Sequence, residues 1–75
     1  MNVAPITTLE HAVEAFLNHP CTENEHRVVG LLRAAKPEVS DAAFVEYGCV
    51  EHDLVHVHDA GTWWEISRDG LIVRC

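Results

Sequence analysis

The chain has 75 residues, enough for one small domain over 1–75 and too few for two. Its apolar content of 48% is typical of a folded globule, and no apolar run approaches the ~20 residues of a membrane span. Twelve acidic residues against five basic ones give a net charge of −7, which disfavours direct contact with nucleic-acid phosphates.

The first predicted element is a helix from about Leu9 to Asn18. Thr7, with Glu10 three residues later, has the form of a capping box. Apolar residues then recur at helical spacing, at Leu9, Val13, Phe16 and Leu17. Pro20 ends the helix, because the residue before a proline disfavours the helical conformation.

The segment Met1–Ile6, which precedes this helix, reads as a short leader without the basic and apolar regions of a secretory signal.

A second helix follows, with Thr22 and Glu25 as another capping box and Lys36-Pro37 as its end. Its apolar stripe includes Val28 and Leu32. Gly30 costs helix stability, which suggests that it allows a close contact with another element.

The next segment has two interpretations. Ser40 resembles an N-cap and Gly48 a C-terminal stop, which predicts a short third helix over Asp41–Tyr47. The alternative is a strand through Ala43–Val50, because Phe, Val, Tyr and Cys all suit a sheet.

The last part of the chain predicts a three-stranded antiparallel meander. Leu54–His58 and Thr62–Ser67 flank the turn Asp59-Ala60-Gly61, and Asp69-Gly70 leads into Leu71–Cys75. The fold class is therefore α+β, with two or three helices packed on one face of this sheet.

The register decides which side chains face the helices. A three-residue first loop would bury His56 and His58, whereas a two- or four-residue loop buries Val55 and Val57 instead. We expect the even loop, since each buried valine contributes roughly 1.5–3 kcal/mol and buried imidazoles need partners. A two-residue Asp69-Gly70 loop would pair Ile66 with Val73 and Trp64 with Cys75.

This register predicts the composition of both faces. The expected core is Leu9, Val13, Phe16, Leu17, Val28, Leu32, Phe44, Val55, Val57, Trp64, Ile66, Leu71 and Val73. The expected outer face carries His56, His58, Trp63, Glu65, Ile72 and Arg74.

The sequence carries no catalytic or cofactor motif, so we expect a protein that is not an enzyme. Cys49-x-x-His52 has the residue types of a nucleophile and its base, but such pairs are assembled by the fold and not by local spacing. The three cysteines lack the spacing of a zinc site and read as reduced thiols of a cytoplasmic protein. His56, His58 and Glu65 are the weak candidates for metal binding.

The order of elements also matches a winged-helix outline, in which the second and third helices would form a helix-turn-helix pair. The candidate recognition helix presents acidic and apolar side chains instead of the Arg, Lys, Asn or Gln that read DNA. Such a scaffold would therefore serve protein contacts.

Acidic residues are concentrated in one part of the chain, since no Lys or Arg occurs between Lys36 and Arg68. An acidic surface of this kind attracts basic partners. We expect a small protein-binding module that inhibits a nucleic-acid-handling partner by occupying its basic surface, as a DNA mimic does. The expected contact residues are Glu38, Asp41, Glu46, Tyr47, Glu51, Asp53, Trp63 and Glu65.

In size, single-domain build and acidity, the chain resembles small phage-encoded inhibitors such as anti-CRISPR proteins, a resemblance of general character. Two further hypotheses compete with this one. The histidines His52, His56 and His58 lie among carboxylates, as in a metal- or pH-responsive module. A homodimer joined through Trp63 and Ile72 is the other.

Overall fold

The computed structural model describes residues 8–74. Two helices precede one four-stranded antiparallel sheet of order β1-β2-β3-β4, which confirms the α+β class and adds a strand to the expected three. The elements are α1 (Leu9–Asn18), α2 (Thr22–Ala35), β1 (Phe44–Cys49), β2 (Leu54–Asp59), β3 (Thr62–Ser67) and β4 (Ile72–Arg74). The leader Met1–Ile6, Thr7 and Cys75 lie outside the described residues. Within residues 8–74 no helix is long and apolar enough to cross a membrane.

Both helices run as their sequence patterns indicated. In α1 the N-cap is one residue later than expected, at Thr8, whose hydroxyl accepts a hydrogen bond from the backbone N–H of His11 at 3.3 Å. In α2 the expected capping box is wrong, because Thr22 is the first helical residue and Cys21 is the N-cap. The Glu25 carboxylate instead accepts a hydrogen bond at 3.0 Å from the backbone N–H of Val45 in β1. This carboxylate therefore joins the second helix to the sheet.

The third helix over Asp41–Tyr47 is wrong, and the alternative strand is correct. Ser40 does not begin a helix: its hydroxyl and its backbone N–H both donate to the carboxylate of Asp59, at 2.5 and 3.0 Å, and the hydroxyl also accepts from the backbone N–H of Ala42 in the loop. Pairing with β2 buries Val45, and this tertiary gain outweighs the local cap signal. The second member of a helix-turn-helix pair is thus absent from the described residues, and the winged-helix outline is wrong.

The β2–β3 hairpin has the expected even loop. Its two loop residues, Ala60 and Gly61, have φ values of 49° and 87°, the positive pair that a type I′ turn requires. Val57 lies opposite Trp64, and Val55 opposite Ile66, with all four side chains buried.

The expected register of the last hairpin is wrong by one residue. The backbone N–H of Arg68 points to the other side of β3, where it donates to the carbonyl of Asp53 at 2.7 Å. Ser67 therefore closes the loop by donating to the carbonyl of Leu71 at 3.0 Å, and the loop has three residues. Gly70, with φ of 89°, takes the left-handed position of such loops.

A one-residue shift reverses the faces of the last strand. Ile72 lies opposite Ile66 and packs against the core, although we expected it outside. Leu71 and Val73, expected in the core, are 63% and 45% exposed. Arg74 faces the helix side, with its guanidinium carbon 5.6 Å from the centre of the Trp64 ring, and not the outer face.

The hydrophobic core lies between the helices and one sheet face. Its buried residues are Ala12, Val13, Phe16, Leu17, Val28, Leu32, Val39, Val45, Val55, Val57, Trp64 and Ile66. The expected core thus holds except at Leu71, Val73 and the exposed Phe44, while Leu9 is half-buried against it.

One glycine lies where the end of α1 packs against β1. A Cβ at Gly48 would be 2.9 Å from Leu17 Cδ2 and 3.0 Å from Phe16 Cε1, so the close approach requires glycine there. At Gly30, which we expected to make such a contact, a Cβ would meet nothing within 4 Å.

Candidate functional site

The sheet face opposite the helices carries the candidate site, and a β-bulge shapes it. The pairing of β1 with β2 shifts between Val45 and Tyr47, so Glu46 is the extra residue. Without the bulge, strand alternation would place Tyr47 on the helix side. With it, Phe44 and Tyr47 share the outer face, and Gly48 falls beneath α1.

Five rings form a continuous cluster on this face, which we call the aromatic face. Its rings belong to Phe44, Tyr47, His56, His58 and Trp63. Their centroids lie 4.5–5.8 Å apart, in tilted and edge-to-face arrangements that aromatic pairs prefer. Phe44 and Tyr47 are each 48% exposed and Trp63 is 39% exposed, so large aromatic side chains remain in contact with solvent.

His56 lies at the centre of the cluster. The Trp63 ring is inclined at 38° to it with the centroids 4.5 Å apart, and Tyr47 meets it edge-on at 4.8 Å. The imidazole is buried, and its Nδ1 atom has no hydrogen-bond partner among residues 8–74. The same is true of Nδ1 of the half-buried His58. Both imidazoles therefore pack as flat rings that hold the exposed aromatic side chains in place.

The charge on this face has one sign. Glu65 lies opposite His56, is half-buried, and makes no hydrogen bond or ion pair with another described residue. None of the described residues that point outward from the four strands is Lys or Arg. Arg27, Arg33 and Lys36 belong to α2 or follow it directly, and of these Arg33 lines a groove with Phe44 between α2 and the edge of β1.

The other expected acidic contacts surround this face. Glu46 is exposed at the bulge on the sheet edge. Glu51 and Asp53 are exposed in the β1–β2 turn, where Asp53 pairs with Arg68 at 3.2 Å. Glu38 and Asp41 are exposed in the loop at the other end of β1. The fold thus brings Tyr47, Trp63 and Glu65 together and places the remaining carboxylates at the ends and edge of the sheet.

A shallow apolar groove of about 310 Å³ adjoins the aromatic face at the outer edge of β1. The C-terminal end of α1 forms one wall, and Tyr47 and Val50 form part of the other. The groove extends the exposed apolar surface next to the aromatic face.

The metal hypothesis receives no geometric support. Within residues 8–74, no three His, Cys, Asp or Glu side chains are grouped so that they could hold a metal ion. His56 and His58 both pack against the Trp63 ring, so their imidazoles are arranged as members of an aromatic cluster. Cys21 and Cys49 are free thiols and half-buried.

The register argument correctly placed His56, His58, Trp63 and Glu65 on one face. It missed Phe44 and Val73, which also belong to that face. The bulge carries no distinctive sequence signal, so nothing in the sequence distinguishes a Phe44 that faces the core from one that faces solvent. Comparison of the chain with protein-family models, with curated proteins and with solved structures gave no match.

Proposed function

We propose that the protein is a small binding module that inhibits a nucleic-acid-handling partner by covering its basic surface with the aromatic face. The observation that carries the proposal is the sheet face left uncovered by the helices, where exposed aromatic side chains lie beside Glu65 and no Lys or Arg. In globular proteins, exposed apolar patches bounded by charged residues are typical of interaction sites.

The aromatic residues supply most of the affinity in this proposal. Tryptophan and tyrosine are enriched among the residues that dominate binding energy, since they bury large areas at little entropic cost. Trp63 and Tyr47 contact the buried His56, which keeps both rings in place before the partner binds. Binding then loses little side-chain freedom.

The carboxylates supply orientation and rate. Glu46, Glu51, Glu38 and Asp41 are exposed around the aromatic face, where they would attract the Lys and Arg side chains that otherwise hold phosphates. Interactions between exposed charges are screened by salt, so association should slow as ionic strength rises.

The sheet edge is less suited to docking than the face. At the free edge of β1 the backbone N–H of Val45 is already bound to Glu25, and the bulge interrupts the regular pattern of donors. Bulges and side chains that cover an edge prevent strand addition by another chain. The other edge strand, β4, has three residues.

The test is capture followed by competition. Immobilised protein is incubated with a nuclease-treated extract of the cells that make it, at ~50 mM salt, and eluted with ~200 mM salt. Each captured protein is then loaded with a fluorescent DNA or RNA oligonucleotide and titrated with the module. We expect basic nucleic-acid-binding proteins to be captured and the oligonucleotide to be displaced.

Two matched variants locate the surface. Trp63→Ala should weaken binding of the captured partner by at least about 2 kcal/mol, roughly 30-fold, as a dominant interface residue does. Arg27→Ala changes a residue that pairs with Glu23 on the exposed face of α2, and it should leave binding unchanged. The proposal would be refuted if the oligonucleotide stayed bound to the captured partner at a saturating concentration of the module. It would also be refuted if wild type and Trp63→Ala captured the partner equally well.

A further inference from the structure

Two neighbouring side chains on β3 have properties that suit one particular cation. Trp63 and Glu65 are two residues apart on the strand, so both point outward from the same face. The indole is 39% exposed, and the carboxylate has no bonding partner among residues 8–74. An aromatic surface and an unpaired carboxylate, separated by one residue, are thus presented together.

The molecule itself contains an arginine on the neighbouring indole. On the helix side of β3, the guanidinium carbon of Arg74 lies 5.6 Å from the centre of the Trp64 ring, within the range of a cation–π contact. That contact forms across strands β3 and β4, where Trp64 and Arg74 are paired. The helix-facing side therefore already carries an arginine, whereas the outward Trp63 has none from the described residues.

We infer that the aromatic face recognises an arginine of its partner, with the guanidinium stacked on Trp63 and hydrogen-bonded to Glu65. The inference rests on the proposed function and specifies the chemistry of the contact. A guanidinium is planar, more weakly hydrated than an ammonium, and presents paired N–H donors that match a carboxylate. A lysine can supply the charge but neither the flat stacking surface nor the paired donors.

His56 acts as a positioning residue for this contact. It fixes Trp63 from one side at 4.5 Å and lies directly opposite Glu65 on the paired strand. The Trp63 ring that meets the guanidinium is thereby packed against a buried side chain, so stacking of the arginine on it needs little rearrangement. Tyr47, in edge contact with the same ring, offers a second aromatic surface for the aliphatic part of the partner.

The test compares hexa-arginine with hexa-lysine, which carry equal charge, by NMR titration of ¹⁵N-labelled protein. The indole N–H resonances of Trp63 and Trp64 report on the two faces of β3 separately. We expect hexa-arginine to shift the Trp63 indole resonance and to bind about fivefold more tightly than hexa-lysine. The Trp64 indole, which is buried, should shift little.

Glu65→Gln keeps the size of the side chain and removes its charge. We expect this variant to bind hexa-arginine several-fold more weakly and to lose most of the preference for arginine over lysine. Glu14→Gln makes the same charge change on the exposed side of α1, and the arginine preference should survive in it. The amide spectrum of each variant reports whether the fold is intact.

The possible outcomes separate this inference from the function on which it rests. Equal affinity for the two peptides overturns the arginine inference, and so does a resonance shift confined to α2. Neither result changes the outcome of the oligonucleotide competition. If the competition fails, the proposed function is refuted, whatever the peptides do.

Discussion

Ser40 donates two hydrogen bonds to the carboxylate of Asp59: its hydroxyl meets Oδ1 at 2.5 Å and its backbone N–H meets Oδ2 at 3.0 Å. This contact joins the loop before β1 to the end of β2, across 19 residues of chain. It ties the loop after α2 to the sheet, and its strength depends on the ionisation of Asp59.

The two hydrogen bonds from Ser40 lower the pKa of Asp59 below its ordinary value of 3.8, with the hydroxyl as the larger cause and the backbone N–H next. The carboxylate therefore binds protons more weakly in the folded than in the unfolded protein. Its stabilising contribution is present above the unfolded pKa and is lost as pH falls through the lower folded pKa. We expect wild type to exceed Asp59→Asn in stability near neutral pH.

That difference should shrink as pH falls below 3.8, because the wild-type carboxyl becomes protonated. Urea-unfolding midpoints of the two proteins across this range measure it. Ser40→Ala should show a smaller difference of the same sign, since it keeps the backbone hydrogen bond. A wild-type advantage over Asp59→Asn that stays constant to the lowest pH would contradict the assignment.

Gly48 and Gly30 have different surroundings, so their replacement by alanine should change the free energy of unfolding in opposite directions. Gly48→Ala places a methyl group 2.9 Å from Leu17 Cδ2, so we expect a loss of about 1–3 kcal/mol from overpacking. Gly30→Ala meets nothing within 4 Å and lies inside a helix, so we expect a gain of up to ~1 kcal/mol. Chemical denaturation measures both, and a Gly48→Ala variant at least as stable as wild type would show the close approach of α1 to be wrong.

The Glu25 carboxylate covers the edge of the sheet. Glu25→Ala leaves the backbone N–H of Val45 without its partner, so we expect the free energy of unfolding to fall by about 1–3 kcal/mol. It also frees a donor at the sheet edge, so we expect concentration-dependent association in light scattering. Glu23→Ala is the matched control, because its carboxylate pairs with Arg27 on an exposed helix face and contributes less than about 1 kcal/mol.

The β2–β3 turn carries an alanine in a left-handed conformation. Ala60 has φ of 49°, which costs a non-glycine residue roughly 1–2 kcal/mol unless its side chain bonds locally. Ala60→Asn gives the Asn-Gly pair that type I′ turns favour, so we expect a rise in melting temperature and a gain of up to ~1 kcal/mol. Gly61→Ala, at φ of 87°, should destabilise the protein instead.

The sequence alone determined the features that depend on local chemistry. The helical spacing from Leu9 to Leu17 defined α1, and the stop at Lys36 defined the end of α2. The even loop before Trp63 followed from the free energy of burying Val55 and Val57, and it placed four members of the candidate site on one face. These predictions succeeded because, at each of these positions, the alternative conformation would have a clearly higher free energy for reasons that lie in the neighbouring residues.

Tertiary structure decided the rest. The segment Phe44–Cys49 became a strand because β2 offered its backbone partners and α1 a place for Gly48, neither of which is local to it. The bulge at Glu46 turned Tyr47 outward, and the contact between Arg68 and Asp53 shifted the last hairpin by one residue. At these positions the local sequence is nearly as compatible with one conformation as with the other. Contacts made by residues distant in the chain therefore selected the conformation, and they completed the aromatic face.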